Sequence, residues 1–242
     1  MKHYVEYSVN KGIMHAPYMH NYPKMLWLFM MVKYSSTEPM DVYDLLWTNN
    51  EDIAEQTLEV PFLQHMQMGD LQADNYVIFT IQDINYLVRV TAMLKEMCKK
   101  VKVPEDLKDF FEDRYKSYQS YADATLEKFH LKGVEDIVPT EAMEKYLSNY
   151  QTVMEEEEPI YFAVALLPCV VLWLWLANQL KEGYCNAYFT WKKENAHGHP
   201  EQHYRDLLDK HLTTKEQIAK ANNIFRQQMQ NEHDFFASSL IE

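Results

Sequence analysis

Three groups of side chains in this 242-residue sequence have types and spacings that could do chemistry. The first is Cys169, placed directly after Pro168 in the apolar run IYFAVALLPCVVLWLWLA at residues 160–177. A cysteine in an apolar helix is most often inert packing. The proline alters its setting, because a proline inside a helix removes a backbone hydrogen bond, bends the element and can open space beside the next side chain. A thiol lining such a space becomes a nucleophile once a positive or hydrogen-bonding neighbour favours the thiolate.

The second group is Asp83 with Tyr86 in FTIQDINYLVRV, an i, i+3 pair that puts a carboxylate and a phenol on one helix face. Ile81, Ile84, Leu87 and Val88 make that helix largely internal, so Asp83 is either ion-paired, for instance with Arg89, or a buried acid with another partner. The third is Glu232 in NEHDFFASSL, which shares a face with Phe235 and Phe236. A carboxylate held among aromatic rings has a raised pKa and can give and take protons near neutrality. The alternative is an exposed glutamate beside a terminal core turn. Metal chemistry has less to stand on. Glu127 and His130 make one copy of the E-x-x-H pair that di-iron bundles place on two helices, and His197, His199 and His203 crowd a loop without acidic or thiol companions at set distances. There is no G-x-S-x-G, H-E-x-x-H or phosphate-binding loop, so neither a metal nor a cofactor is expected.

The elements that must position these groups are helices. Only five glycines occur where ordinary usage gives roughly 17, too few for many hairpins or a Gly-rich nucleotide loop. Breakers divide the chain into about eight helices in one bundle. An aromatic stretch over 25–34 suggests a helix or arm, and 41–59 reads as one capped helix. Pro61 opens a new element that turns at Gly69-Asp70. The segment 74–100 carries apolar residues at helical spacing. Pro104 starts a helix reaching His130 and closed by Gly133; Pro139 starts another to about Met154, followed by the apolar helix 159–182. Helices near 187–194, 201–211 and 214–240 complete the chain, the last with Thr213 or Thr214 and Glu216 as its start signal. Residues 1–45 read as an N-terminal extension packed on the main body and 46–242 as the helical domain.

Composition narrows the partners. Lys plus Arg is 23 and Asp plus Glu is 36, a net charge of −13, and the basic runs are short and sit beside acids, so nucleic acid is excluded as an expected partner. Cysteines at 98, 169 and 185 form no CxxC pair and no secretory signal precedes the chain's first helix, which points to a reducing, cytoplasmic setting. The uncharged run 160–177 reaches membrane-span length. The acidic run Glu155 to Glu158 before it, Pro168 within it and the lack of a second span make it a buried core helix instead, and no membrane association is expected.

The three groups occur in an order that resembles the TenA family of thiaminase II, or aminopyrimidine aminohydrolase, enzymes. VPFLQHMQMGDLQADNYVIFTIQDINYL resembles that family's Pro-Phe, Gly, Gln-Asp and Tyr-Leu signature, AVALLPCVVLWLW its Leu-Pro-Cys helix, and NEHDFF its C-terminal Glu-x-x-Phe turn. The resemblance implies an all-α, haem-oxygenase-like fold, a homo-oligomer (tetramer or dimer), and a closed pocket holding a pyrimidine whose methylene–amine bond is hydrolysed, in thiamin or in a thiamin breakdown product. By the same resemblance Cys169 is the nucleophile, Asp83 holds a ring nitrogen and the exocyclic amine, Tyr86 orients the site and Glu232 protonates the leaving group.

Several pocket positions depart from the family pattern. Trp173 stands where a tyrosine is usual, exchanging a hydroxyl for an indole N–H. A second tyrosine position falls on Asn195, a third near Met143 or Lys145, and the histidine before the Pro-Phe pair is Val60. These changes leave room for a differently decorated pyrimidine, or for a second reading in which the same fold binds a pyrimidine and regulates without cleaving it. A di-iron oxidase built on Glu127 and His130 is a third.

Overall fold

The computed structural model describes residues 40–240. The helix or arm expected over 25–34 lies outside them. Among the described residues the chain forms ten helices and no strand: α1 Val42–Thr48, α2 Glu51–Leu58, α3 Pro61–Met68, α4 Ala73–Lys100, α5 Glu105–Lys128, α6 Glu141–Glu156, α7 Pro159–Gln179, α8 Phe189–Asn195, α9 Glu201–His211 and α10 Lys215–Ala237.

α7 is the centre of the bundle. It packs on α10, α6, α8 and α2, while α4 lies against α5 and α6. From Phe162 to Leu167 no residue is more than 1% exposed. Two helices, Ala73–Lys100 and Pro159–Gln179, are long and apolar enough to cross a membrane by length and composition, but 72% of the most apolar window of the second is buried inside the bundle. Its N-terminal half is met by protein on every side, as expected of a core helix, while Cys169, Val170 and the residues from Trp173 to Trp175 are half-buried. Truncating a ring from such a position, as in Phe162→Ala, costs about 3–5 kcal/mol through lost burial and the cavity left behind.

Several local expectations change. The single helix over 41–59 is two, because Asn50 turns its side-chain amide back onto the Leu46 carbonyl at 2.8 Å and the backbone leaves the helical region at φ −130, ψ 10. The same amide reaches Asn222 at 3.1 Å, so the break ties α2 to α10. α5 stops at Lys128 rather than His130, and the left-handed residue after it is His130 (φ 55), not Gly133. Ile81, read as internal, is 37% exposed, and Val77, another of the helically spaced apolar residues of 74–100, is 53% exposed; the inward face is instead Phe79, Gln82, Tyr86 and Val90. The start of α10 is a capping box of Thr214 with Gln217, so Glu216 is not its partner. Gly69 does close α3 in the left-handed conformation its turn requires, at φ 80.

Candidate active site

Four helices converge on one cavity of about 260 Å³. α4 contributes Asp83 and Tyr86, α5 Tyr118 and Tyr121, α7 Cys169 and Trp173, and α8 Glu194 and Asn195, with His197 just beyond. Cys169 follows Pro168, which lies buried inside α7, so the thiol opens onto the cavity from the bundle's central helix. The spacing of Asp83 and Tyr86 does place both on the cavity side of α4. Asp83 is not paired with Arg89, which donates to Asn85 Oδ1 at 2.7 Å instead.

Glu232 occupies a second layer. It is 1% exposed, flanked by the buried Phe235 and Phe236, and absent from the cavity lining. Its Oε1 accepts from the Tyr146 hydroxyl at 2.6 Å and its Oε2 from Trp173 Nε1 at 2.9 Å. It also hydrogen-bonds with the Cys169 thiol in front of it. The Trp173 departure therefore preserves a donor to this carboxylate. From Tyr146 a row of buried hydroxyls continues to Tyr150 at 3.3 Å and on to Tyr86 at 2.9 Å, and Tyr86 hydrogen-bonds with the Cys169 sulfur. Cys169, Tyr86, Tyr150, Tyr146 and Glu232 thus close a ring of hydrogen bonds beneath the cavity floor.

The electrostatics follow from this burial. Cys169 is held well above the usual thiol value, first by burial and then by the negative charge of Glu232, with the Tyr86 hydroxyl opposing. Glu232 is itself raised by burial, against the hydrogen bonds from Trp173, Tyr146 and Cys169. Asp83 is pushed up to about 7 by burial and by Glu232. Tyr86, Tyr146 and Tyr150 are raised well above the ordinary phenol value, burial being the largest cause for each, so all three keep their protons. A proton resides on the thiol at neutral pH, and the charges of Asp83 and Glu232 act on it and on one another.

Asn195 lines the cavity, although its amide nitrogen is committed to the Trp191 carbonyl at 2.8 Å. Next to Lys145, where a pocket tyrosine is expected by resemblance, α6 carries the buried Tyr146. Met143 is core, and Lys145 pairs with Asp234 at 2.8 Å on the surface. Sequence reasoning missed Tyr146 and Tyr150; their i, i+4 spacing on the inward stripe of α6, shared with Met143, Leu147 and Val153, was the available signal. Val60 is a buried helix-start residue outside the cavity lining. Glu127 and His130 are exposed, and His130 has left the helix, so the i, i+3 geometry of a di-iron ligand pair is not met. Among the described residues no group of three or more His, Cys, Asp or Glu side chains is arranged to hold a metal ion.

Ten helices among the described residues, four of them lining a cysteine-bearing cavity, make this an all-α, haem-oxygenase-like fold. The model of the TENA/THI-4/PQQC family matches residues 47–242, and the chain belongs to that family. Among solved structures, a TenA homologue from P. horikoshii OT3 is 20% identical, with a TM-score of 0.66 over 83% of this chain and 98% of that one. A TenA homologue from Pyrococcus furiosus is 16% identical, with a TM-score of 0.63 over 82% and 100%. A protein described as a TenA family transcription regulator from Silicibacter sp. TM1040 is 13% identical, with a TM-score of 0.64 over 82% and 96%. No functionally curated protein matches the sequence.

Proposed function

We propose that this protein hydrolyses the methylene–amine bond of an aminopyrimidine, thiamin or a thiamin breakdown product, with Cys169 as nucleophile. Membership of the family suggests a thiamin-related activity. The observation that carries the finer reading is the meeting of Cys169, Asp83 and Tyr86 on one cavity with Glu232 directly behind the thiol.

In this reading a planar pyrimidine lies among Trp173, Tyr118 and Tyr86, where aromatic faces favour stacking. Asp83, pushed up to about 7, gives a proton to a ring nitrogen or accepts from the exocyclic amine. The Cys169 sulfur adds to the electron-poor ring as its proton passes to the Glu232 carboxylate. The methylene–amine bond then breaks as the nitrogen takes the bonding pair and, for an amine, a proton; water adds to the methylene carbon, and sulfur departs and takes up the proton that the water gives off.

The charge of the lining supports an unphosphorylated substrate. Asp83 and Glu194 face the cavity, and among the described residues neither Lys nor Arg lines it, so a phosphate ester would meet carboxylates there without a lining counter-charge. Lys128, an exposed side chain 4.0 Å from Glu194, pairs with that carboxylate and is not part of the lining. The test is hydrolysis of thiamin, an aminomethylpyrimidine and thiamin monophosphate by wild-type and Cys169→Ala protein. Turnover of the first two, lost in the variant and absent with the phosphate, supports the reading; full activity without Cys169 sinks it.

A second reading, binding without cleavage, is favoured by the altered wall at Trp173 and Asn195. Recovery of a tightly bound pyrimidine unchanged would establish it. Cytoplasmic residence and homo-oligomer formation belong to the same proposal. The free thiols of Cys98, Cys169 and Cys185 suit a reducing compartment, and exposed Val77 and Ile81 on α4 supply an apolar face for a second copy, testable by light scattering of a Val77→Lys variant.

A further inference from the structure

An acid that protonates a leaving group must reach it, yet Glu232 does not line the cavity. Two of its partners in the hydrogen-bonded ring do. Cys169 is in direct contact with Glu232, and Tyr86 is joined to it through Tyr150 and Tyr146 by contacts of 2.9, 3.3 and 2.6 Å. Tyr150 is fully buried and touches neither the cavity nor, on this geometry, any ligand in it.

We propose that the proton taken from the thiol returns to the cavity by the other arm of this ring, from Glu232 through Tyr146 and Tyr150 to Tyr86, and that Tyr150 is the positioning residue on which this return depends. The proposal rests on the hydrolase reading above. As the S–C bond forms, the thiol proton moves to Glu232. As the C–N bond breaks, Glu232 gives a proton to the Tyr146 oxygen, Tyr146 gives its own to Tyr150, Tyr150 its own to Tyr86, and Tyr86 its own to the departing amine nitrogen, which takes the bonding pair. One proton has passed from Cys169 to the amine; Glu232 is again a carboxylate, and each tyrosine ends neutral with one proton. Hydroxyl hydrogens rotate freely enough to serve either direction along such a row.

The two leaving groups separate this relay from mere support of the fold. An amine needs a proton to depart, whereas thiamin releases its thiazolium ring as a neutral thiazole and needs none. Tyr150→Phe keeps the ring and removes the middle hydroxyl. The expected result is a kcat for the aminomethylpyrimidine about 100-fold lower relative to that for thiamin, with KM for both within about twofold, since general acid catalysis contributes on the order of 10²–10⁴. The proton inventory in mixed light and heavy water should change from curved to linear for the amine substrate. Tyr146→Phe, which cuts the same arm one step earlier, should show the same selective loss, and covers the case in which Tyr150→Phe does not fold. Equal slowing of both substrates, or no slowing, overturns the relay. Wild-type protein that cleaves neither substrate overturns the hydrolase reading itself.

Discussion

The indole nitrogen of Trp173 donates to Glu232 Oε2 at 2.9 Å, across the joint between α7 and α10. Of the hydrogen bonds that hold this buried carboxylate down against the effect of burial, this one acts most strongly. Trp173→Phe keeps the aromatic wall and removes the donor, so Glu232 should bind its proton more tightly. The acidic limb of the kcat profile is expected to move to higher pH, with activity at pH 6 down about tenfold and largely recovered at pH 8, the scale of one hydrogen bond to a charged group. A limb that stays in place would show that Glu232 is not the titrating group.

Asp83 gives a stability signature of opposite sign to the usual carboxylate. Its pKa is raised in the folded protein to about 7 from 3.8, so between those values the folded state holds a proton that the unfolded chain has released. Stability should therefore fall as pH rises from about 4 to 7 and level off above. Asp83→Asn should remove that slope and melt several degrees above wild type at pH 8, with little difference at pH 4. Thermal melts across this range check it; parallel curves for the two proteins would refute it.

The charge of Glu232 is the largest influence after burial holding the Cys169 thiol protonated. Glu232→Gln should lower the thiol pKa and speed its alkylation by iodoacetamide several-fold at pH 8, while abolishing hydrolysis. Cys98 and Cys185, both free, serve as internal references in the same mass-spectrometric time course. Alkylation at an unchanged rate would mean that the carboxylate does not act on the sulfur.

Glu182, in the connection between α7 and α8, is 6% exposed and has both carboxylate oxygens buried without a hydrogen-bond partner among the described residues. Burial raises its pKa, and Lys192 only partly offsets this. Replacing an unsatisfied buried group by an apolar one is neutral to stabilising. Glu182→Leu is expected to gain about 1 kcal/mol, a rise in Tm of roughly 2–4 °C for a domain of this size. A fall in Tm by calorimetry would show that the carboxylate is satisfied in solution.

The bundle was legible because glycine scarcity, proline starts and helical periodicity all report on local backbone. Asp83, Tyr86, Cys169 and Glu232 were legible because each sits in a short motif whose neighbours state its face. The break at Asn50 was not, because it depends on one amide choosing a carbonyl and a partner on α10. Nor could i, i+3 spacing say that Glu232 lies behind the cavity rather than on it. Tyr146 and Tyr150 read as ordinary core aromatics, and only the approach of α6 to α10 and α4 turns their hydroxyls into a connected row.

The carboxylate-lined cavity also bears on how a ligand arrives. The chain carries a net charge of −13, and Asp83 and Glu194 continue that sign to the entrance of a low-dielectric recess, where field lines concentrate. A cation diffusing past is drawn inward over roughly the Debye length, about 10 Å at 0.1 M salt, while a neutral pyrimidine must find the opening unaided. The encounter rate of the two, more than their final grip, is where ionic strength would tell them apart.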